Sequence, residues 1–372
     1  MAPEEVAILS DVEDAFPILG IDYIQFVVGN ARQSAHFYRA LGFSPFAFMG
    51  LETGVRDRVS WAVQQGSMRL VFTGALGPDS PISDHVKEHG DGVYDVALTV
   101  PDAEEAYRVA TKRGAKGVTE PEILEDEYGK VVRAAIRTYG ATIHSLVSRQ
   151  DYSGAFLPGY RALPQTASDD AGIKYIDHVV GNVELGKMNE WVGYYEKIMG
   201  FTELRHFYDE EISTEYSALM SKVVWDGNGK IKLPINEPAE GKKKSQIDEY
   251  LEYYRTPGVQ HIALTTEDIV ATVETMQARG IGFLRVPENY YDDAKARVPE
   301  IAPQVEALQR NGILVDKDED GYLLQIFSKP VQDRPTVFFE VIERHGAKGF
   351  GAGNFKALFE AIEREQDTRG NL

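Results

Sequence analysis

Glu340 sits in the stretch Thr336-Val337-Phe338-Phe339-Glu340-Val341-Ile342, whose other six residues suit a buried strand. A carboxylate there is costly to bury unless it is paired or bound to a cation. Side chains two apart in a strand share a face, so Glu340 points with Phe338 and Thr336. His178 and His261 have similar settings, in Tyr175-Ile176-Asp177-His178-Val179-Val180 and Val259-Gln260-His261-Ile262-Ala263-Leu264. Two neutral imidazoles and one carboxylate with open positions make the facial triad of non-haem Fe(II) oxygenases. Zn²⁺ with three protein ligands is the competing metal. An iron site of this kind admits a two-toothed substrate together with dioxygen.

What links the three residues is a repeat. Tyr23-Ile24-Gln25-Phe26-Val27-Val28-Gly29-Asn30 and Tyr175-Ile176-Asp177-His178-Val179-Val180-Gly181-Asn182 agree at six of eight positions. A helical pattern follows each and closes at Gly42 and at Gly200. Gly92-Val93-Tyr94-Asp95-Val96-Ala97-Leu98-Thr99 resembles Gly258-Val259-Gln260-His261-Ile262-Ala263-Leu264-Thr265, and Thr142-Ile143-His144-Ser145-Leu146-Val147 lines up with the Glu340 stretch. The chain therefore reads as a tandem duplication, each half holding a strand–helix–strands unit twice. On this alignment Phe26, Asp95 and Leu146 stand where His178, His261 and Glu340 stand, so only the second half is expected to hold metal.

Residues 1–18 read as an acidic tail, 19–150 as a metal-free domain, 151–171 as a breaker-rich linker, and 172–372 as the metal-binding domain. A final helix is expected over 354–367, with Asn354 as its N-cap and an apolar face through Leu358. Residues 222–232 fit a hairpin turned at Asp226-Gly227-Asn228-Gly229. His85 and His89 have the i, i+4 spacing of a helical metal pair, but Asp84, Lys87 and Glu88 around them suggest a solvated turn. His144 is expected to be packed.

Composition narrows the function. The chain has 372 residues, 43% of them hydrophobic, enough for two cores. It has no cysteine, which excludes disulfides, thiolate catalysis and iron–sulfur clusters. A net charge of -19 disfavours nucleic acid and anionic membrane as partners. No apolar run is long enough to span a bilayer and the N-terminus lacks signal-peptide features, so the expected location is the cytoplasm.

The strands quoted above belong to an ordered series with Leu233-Pro234-Ile235-Asn236-Glu237-Pro238, Lys244-Ser245-Gln246-Ile247, Leu324-Gln325-Ile326-Phe327 and Gly349-Phe350-Gly351-Ala352-Gly353-Asn354-Phe355. That series resembles the vicinal-oxygen-chelate superfamily and, within it, the 4-hydroxyphenylpyruvate dioxygenases. It covers the second half; the first half resembles the family's metal-free domain more loosely. The resemblance implies an α+β fold of two tandem vicinal-oxygen-chelate domains. Each would be a duplicated βαβββ unit forming an open barrel around the site, with the C-terminal helix as a lid. It implies Fe(II) on His178, His261 and Glu340, and conversion of 4-hydroxyphenylpyruvate and O₂ to homogentisate and CO₂. The substrate's own 2-oxo acid would chelate the iron.

By the same resemblance Phe338 and Phe355 would sandwich the substrate ring. Ser221, Asn236, Gln246, Gln260 and Gln325 would supply uncharged hydrogen bonds, and Phe327, Phe350, Asn354 and Leu358 would complete the wall and lid. A homo-oligomer, dimer or tetramer, is expected by analogy. The alternatives are a 4-hydroxymandelate synthase, which shares metal set and substrate but oxidises the benzylic carbon, and an extradiol ring-cleaving dioxygenase, which needs a further acid–base His or Tyr. A metal-free binding protein would not require two His and a Glu at matched positions.

Overall fold

The computed structural model describes residues 14–164, 169–204, 212–213, 218–239, 241–287 and 290–371. The first half contains β1 (Gly20–Val27), α1 (Ala31–Phe37), β2 (Ser44–Met49), β3 (Arg58–Gln65), β4 (Met68–Ala75) and α2 (Pro81–His89). It continues with β5 (Gly92–Thr99), α3 (Ala103–Lys112), β6 (Gly117–Asp126), β7 (Gly129–Arg137), β8 (Ile143–Ser148) and β9 (Arg161–Ala162). The second half contains β10 (Ile173–Asn182), α4 (Met188–Met199), β11 (Thr202–Glu203), β12 (Ile212–Ser213), β13 (Ala218–Trp225), β14 (Lys232–Ala239) and α5 (Gln246–Tyr254). Then come β15 (Gly258–Thr266), α6 (Ile269–Ala278), α7 (Tyr290–Arg297), α8 (Val305–Asn311), β16 (Leu314–Lys317), β17 (Tyr322–Phe327), β18 (Phe338–His345) and α9 (Phe355–Thr368).

The strands form two sheets, ordered β6-β7-β8-β5-β1-β4-β3-β2-β9 and β11-β13-β14-β10-β15-β18-β17-β16, with β12 paired to β13. In the middle of each, the first strands of two βαβββ units lie antiparallel, β1 with β5 and β10 with β15. The last strand of each unit returns parallel to its first, β4 to β1, β8 to β5, β14 to β10 and β18 to β15. A parallel return needs a long crossover, which the helix and hairpin of each unit supply. Each sheet curls into a half-barrel, a cup with helices on its outside. The central strand β15 is buried at all nine positions, because helices cover one face and the cup interior the other. One continuous apolar core takes Phe26, Leu98 and Leu146 from the first half with Val192, Ile262 and Val341 from the second. No described helix is long and apolar enough to cross a membrane.

Three stretches differ from their reading in the sequence. The end of the acidic tail is packed chain: Phe16 and Ile18 are buried, and Ala15 N donates to Met199 O at 2.7 Å. Within the linker, Arg161–Ala162 pairs with β2, while Phe156 and Leu157 pack at the wall of the first cup beside Tyr23, Val71 and Val147. His85 and His89 lie on α2, not in a solvated turn. The N-cap Ser80 Oγ accepts from Ser83 N, and Pro81 opens the first turn. The His89 ring stacks on Tyr254 at 4.8 Å and its Nδ1 lies 2.6 Å from Tyr254 O, so the pair packs the two halves together. Burial pushes the His85 imidazole down to about 4, which keeps it neutral.

A second clip between the halves is Arg334. Its guanidinium donates to Glu88 O at 2.6 Å and Lys87 O at 3.2 Å in the last turn of α2, and to Tyr253 O at 3.0 Å in the last turn of α5. A cation is favoured at those two carbonyl-rich helix ends. Nearby, Gln332 Nε2 donates to Asp91 O at 2.6 Å.

Candidate metal centre

Strands β10, β15 and β18 are neighbours in the second sheet, and they bring His178, His261 and Glu340 to one point on its concave face. Glu340 Oε2 lies 3.1 Å from His178 Nε2 and 3.4 Å from His261 Nε2. The three potential ligand atoms all fall within 4.8 Å of one another, and all three residues are buried. Burial alone would raise the Glu340 carboxyl, but the two imidazoles outweigh it and hold the group below its ordinary value. An ionised carboxylate thus sits 2% exposed, a place that calls for a cation.

The outer imidazole nitrogens are also held. His178 Nδ1 lies 2.8 Å from Asp177 Oδ1, and His261 Nδ1 lies 3.0 Å from Gln260 Oε1. Both acceptors hold a ring proton on Nδ1, so a metal that replaced the Nε2 protons would find both Nε2 lone pairs turned toward Glu340. Asp177 is itself clamped by Arg344, Nε at 2.8 Å and Nη2 at 2.7 Å, with Lys232 Nζ at 3.6 Å. Burial pushes the Asp177 carboxyl up, yet the bonds from His178 and Arg344 win and hold it well below the usual carboxylate range. Two lone pairs, one buried negative charge and fixed ring orientations fit a divalent first-row metal.

A cavity of about 50 Å³ opens above the three residues. Ser221, Asn236, Phe327, Phe350 and Leu358 line it with Val180, Val223 and Pro234. Phe350 meets His178 edge-on at 5.0 Å, and Phe338 stacks on His261 at 4.9 Å. Beyond Phe338 lies a second cavity, of about 40 Å³, which contains Gln246 and Gln260. Gln325 and Asn354 stand behind the carboxylate instead of on the wall. Gln325 Nε2 donates to Glu340 Oε1 at 3.2 Å and its Oε1 accepts from Asn354 Nδ2 at 3.1 Å; Asn354 Oδ1 accepts from Tyr290 OH at 2.6 Å. In this structure that chain orients Glu340. Phe355 opens α9, but its side chain lies outside the described residues. Asp177 and Arg344 went unnoticed in the sequence; the available signal was an acid next to a strand histidine and a basic residue four after Glu340.

Strand register identifies the counterparts in the first half. Asp95 pairs with Gln25 and Ile143 as His261 pairs with Val180 and Phe338. Tyr23 faces Ala97 as His178 faces Ala263, and Ser145 faces Ala135 as Glu340 faces Phe327. The counterparts of His178, His261 and Glu340 are therefore Tyr23, Asp95 and Ser145; Phe26 and Leu146, the expected ones, belong to the apolar core. The Val-Val-Gly-Asn identity misled because it lies inside β10 but at the exit of β1. A slip of an odd number of residues turns a strand's side chains to the other face.

The Tyr23 hydroxyl donates to Asp95 Oδ2 at 3.3 Å, and Ser145 donates to Asp95 through N at 2.9 Å and Oγ at 2.6 Å. Burial, partly offset by the Ser145 bonds, raises the Asp95 carboxyl to about 6. Between about pH 4 and 6 the native state then holds a proton that the unfolded chain has released, so this group lowers stability as pH rises through that window. Asp95→Asn should gain on the parent from pH 4 to pH 7 by on the order of 2–3 kcal/mol in urea unfolding. A pH-independent difference would show that Asp95 carries no such proton.

Comparison with known proteins agrees with this architecture. Residues 12–157 match the family described as hydroxyphenylpyruvate dioxygenase, HPPD, N-terminal, and residues 175–326 match the glyoxalase/bleomycin resistance protein/dioxygenase superfamily. The 4-hydroxyphenylpyruvate dioxygenase of Yarrowia lipolytica is 47% identical over 370 residues, covering 95% of this chain and 93% of that one. That of Caenorhabditis elegans is 47% identical over 372 residues, covering 96% of this chain and 95% of its own. A triple mutant of 4-hydroxymandelate synthase from Streptomyces coelicolor superposes with a TM-score of 0.85 at 34% identity, over 94% of this chain and 100% of the other. Identity of this degree along nearly the whole length, on a shared two-cup fold, makes the chain a member of the 4-hydroxyphenylpyruvate dioxygenase family.

Proposed function

We propose that this chain converts 4-hydroxyphenylpyruvate and O₂ to homogentisate and CO₂, with Fe(II) on His178, His261 and Glu340, as a step of tyrosine breakdown. The observation that carries the reading is the buried set of two imidazoles and one carboxylate within 4.8 Å at the floor of a largely apolar cavity. Bound there, Fe(II) would supply electrons for dioxygen and a chelation site for the 2-oxo acid. The chain's own residues bind, orient and exclude water. Asp177 and Gln260 fix the imidazoles, and Gln325 fixes the carboxylate.

Ser221 and Asn236 are direct partners across β13 and β14, so a hydroxyl and an amide stand side by side on an otherwise apolar wall. They suit the polar end of a phenol without adding charge. Phe338 and Phe350 flank the two imidazoles and give an aromatic ring edge or offset contacts worth about 0.5–1.5 kcal/mol.

Helix α9 closes the cup. Leu358 and Ile362 pack on Phe327 and Phe338, and the far end is latched where buried Glu249 accepts from Arg369 Nη2 at 2.7 Å and Asn371 Nδ2 at 2.9 Å. Keeping water out in this way protects reactive oxygen chemistry from side reactions. The higher identity to the dioxygenases, 47% against 34% for the synthase, favours the ring-hydroxylated product. The test is product analysis with 4-hydroxyphenylpyruvate, Fe(II) and O₂. Homogentisate is expected; 4-hydroxymandelate as the main product, or none, would overturn the reading.

A further inference from the structure

The first cup contains a cavity of its own, of about 140 Å³. It overlaps the place of the second cup's cavity, and the two share four lining positions. Tyr23, Gln25, Ser60, Val71 and Arg133 line it. By strand pairing they are the counterparts of His178, Val180, Ser221, Pro234 and Gln325.

Two changes set its chemistry. The donors of the second cup are replaced by the closed Tyr23–Asp95–Ser145 group. Two cations are added, in a chain whose net charge is -19: Arg133 at the place of Gln325, and Arg58 at the place of Leu219. Arg133 gives Nε and Nη2 to Glu122 Oε1, at 3.1 and 2.6 Å, and Arg58 gives Nη1 to Asp57 Oδ2 at 2.9 Å. Their other guanidinium nitrogens make no hydrogen bond among the described residues. The remaining wall is aromatic and apolar, with Phe156 edge-on to Tyr23 at 5.5 Å and to Tyr160 at 4.9 Å.

We propose that the first cup is a binding site for a single-ring aromatic carboxylate. A cavity of roughly 150 Å³ holds a benzene-sized ring, and guanidinium groups with spare N–H donors recognise a carboxylate through charge-assisted bonds. The site is separate from the metal centre and does not depend on the function proposed for it.

The test is calorimetric titration of the metal-stripped protein with 4-hydroxybenzoate. Stripping removes any metal that could chelate the probe in the second cup. Saturable one-site binding is expected, weakened at least about tenfold by Arg58→Gln and by Arg133→Gln, the loss of one charge-assisted bond. Arg133→Lys should restore most of it, and Phe338→Ala, in the second cup, should leave it unchanged. The Arg58 side chain is 44% exposed, so its replacement keeps the test valid even if loss of the Arg133–Glu122 pair disturbs folding. Absence of saturable binding overturns the proposal, as does binding that survives both Gln variants. Loss of binding in Phe338→Ala would move the ligand to the second cup, and equally tight binding of benzyl alcohol would refute recognition by the arginines.

Discussion

Glu340→Gln is expected to cut Fe(II) affinity by more than about 100-fold and to abolish turnover, with the chain still folded. Even partners that only orient a ligand typically cost 10–100-fold when removed. Glu340 supplies the one negative charge in the set, and its shape and its contact with Gln325 can be kept by the amide. The loss therefore falls on the metal and not on packing. Competition with a chelator of known affinity measures it, with circular dichroism as the check on folding. Iron affinity like that of the parent would remove Glu340 from the ligand set. His178→Ala and His261→Ala should lose turnover in the same way.

Asp177→Asn should have the next largest effect, on two quantities at once. The amide still offers one oxygen to His178 Nδ1, but its NH₂ faces the Arg344 guanidinium, which is 13% exposed. Two donors then oppose each other, and a buried cation loses its partner. Removing one member of a buried pair costs about 3–5 kcal/mol. A less firmly held imidazole should lower metal affinity by roughly 10–100-fold. Urea unfolding reads the first quantity and chelator competition the second. A drop in stability with metal affinity unchanged would make Asp177 a structural partner of Arg344 and nothing more.

Much of this site was legible because its signals are local. A histidine in an apolar strand, a glutamate in another and a repeated strand–helix pattern can be seen within a few residues, and they gave the three residues that the fold brings together. The register between the copies could not be read that way. Tyr23 and Ser145 are matched to His178 and Glu340 only by hydrogen-bonded ladders, while identity of residue type pointed to Phe26 and Leu146. Support of the carboxylate was hidden for a related reason. Gln325, Asn354 and Tyr290 come from a strand, the start of α9 and α7, and nothing nearby in the chain announces their meeting. The linker's turns were visible from its glycines and prolines, but those breakers masked Phe156 and Leu157, which wall the first cup.

The clip at Arg334 has a mechanical consequence. One guanidinium ties the ends of α2 and α5, and it lies four residues before Phe338 on the run that leads into β18. Prying the halves apart would strip that cation of its carbonyls and tug directly on the strand that bears Glu340. Torsion between the halves would therefore load the carboxylate-bearing strand through this one cation.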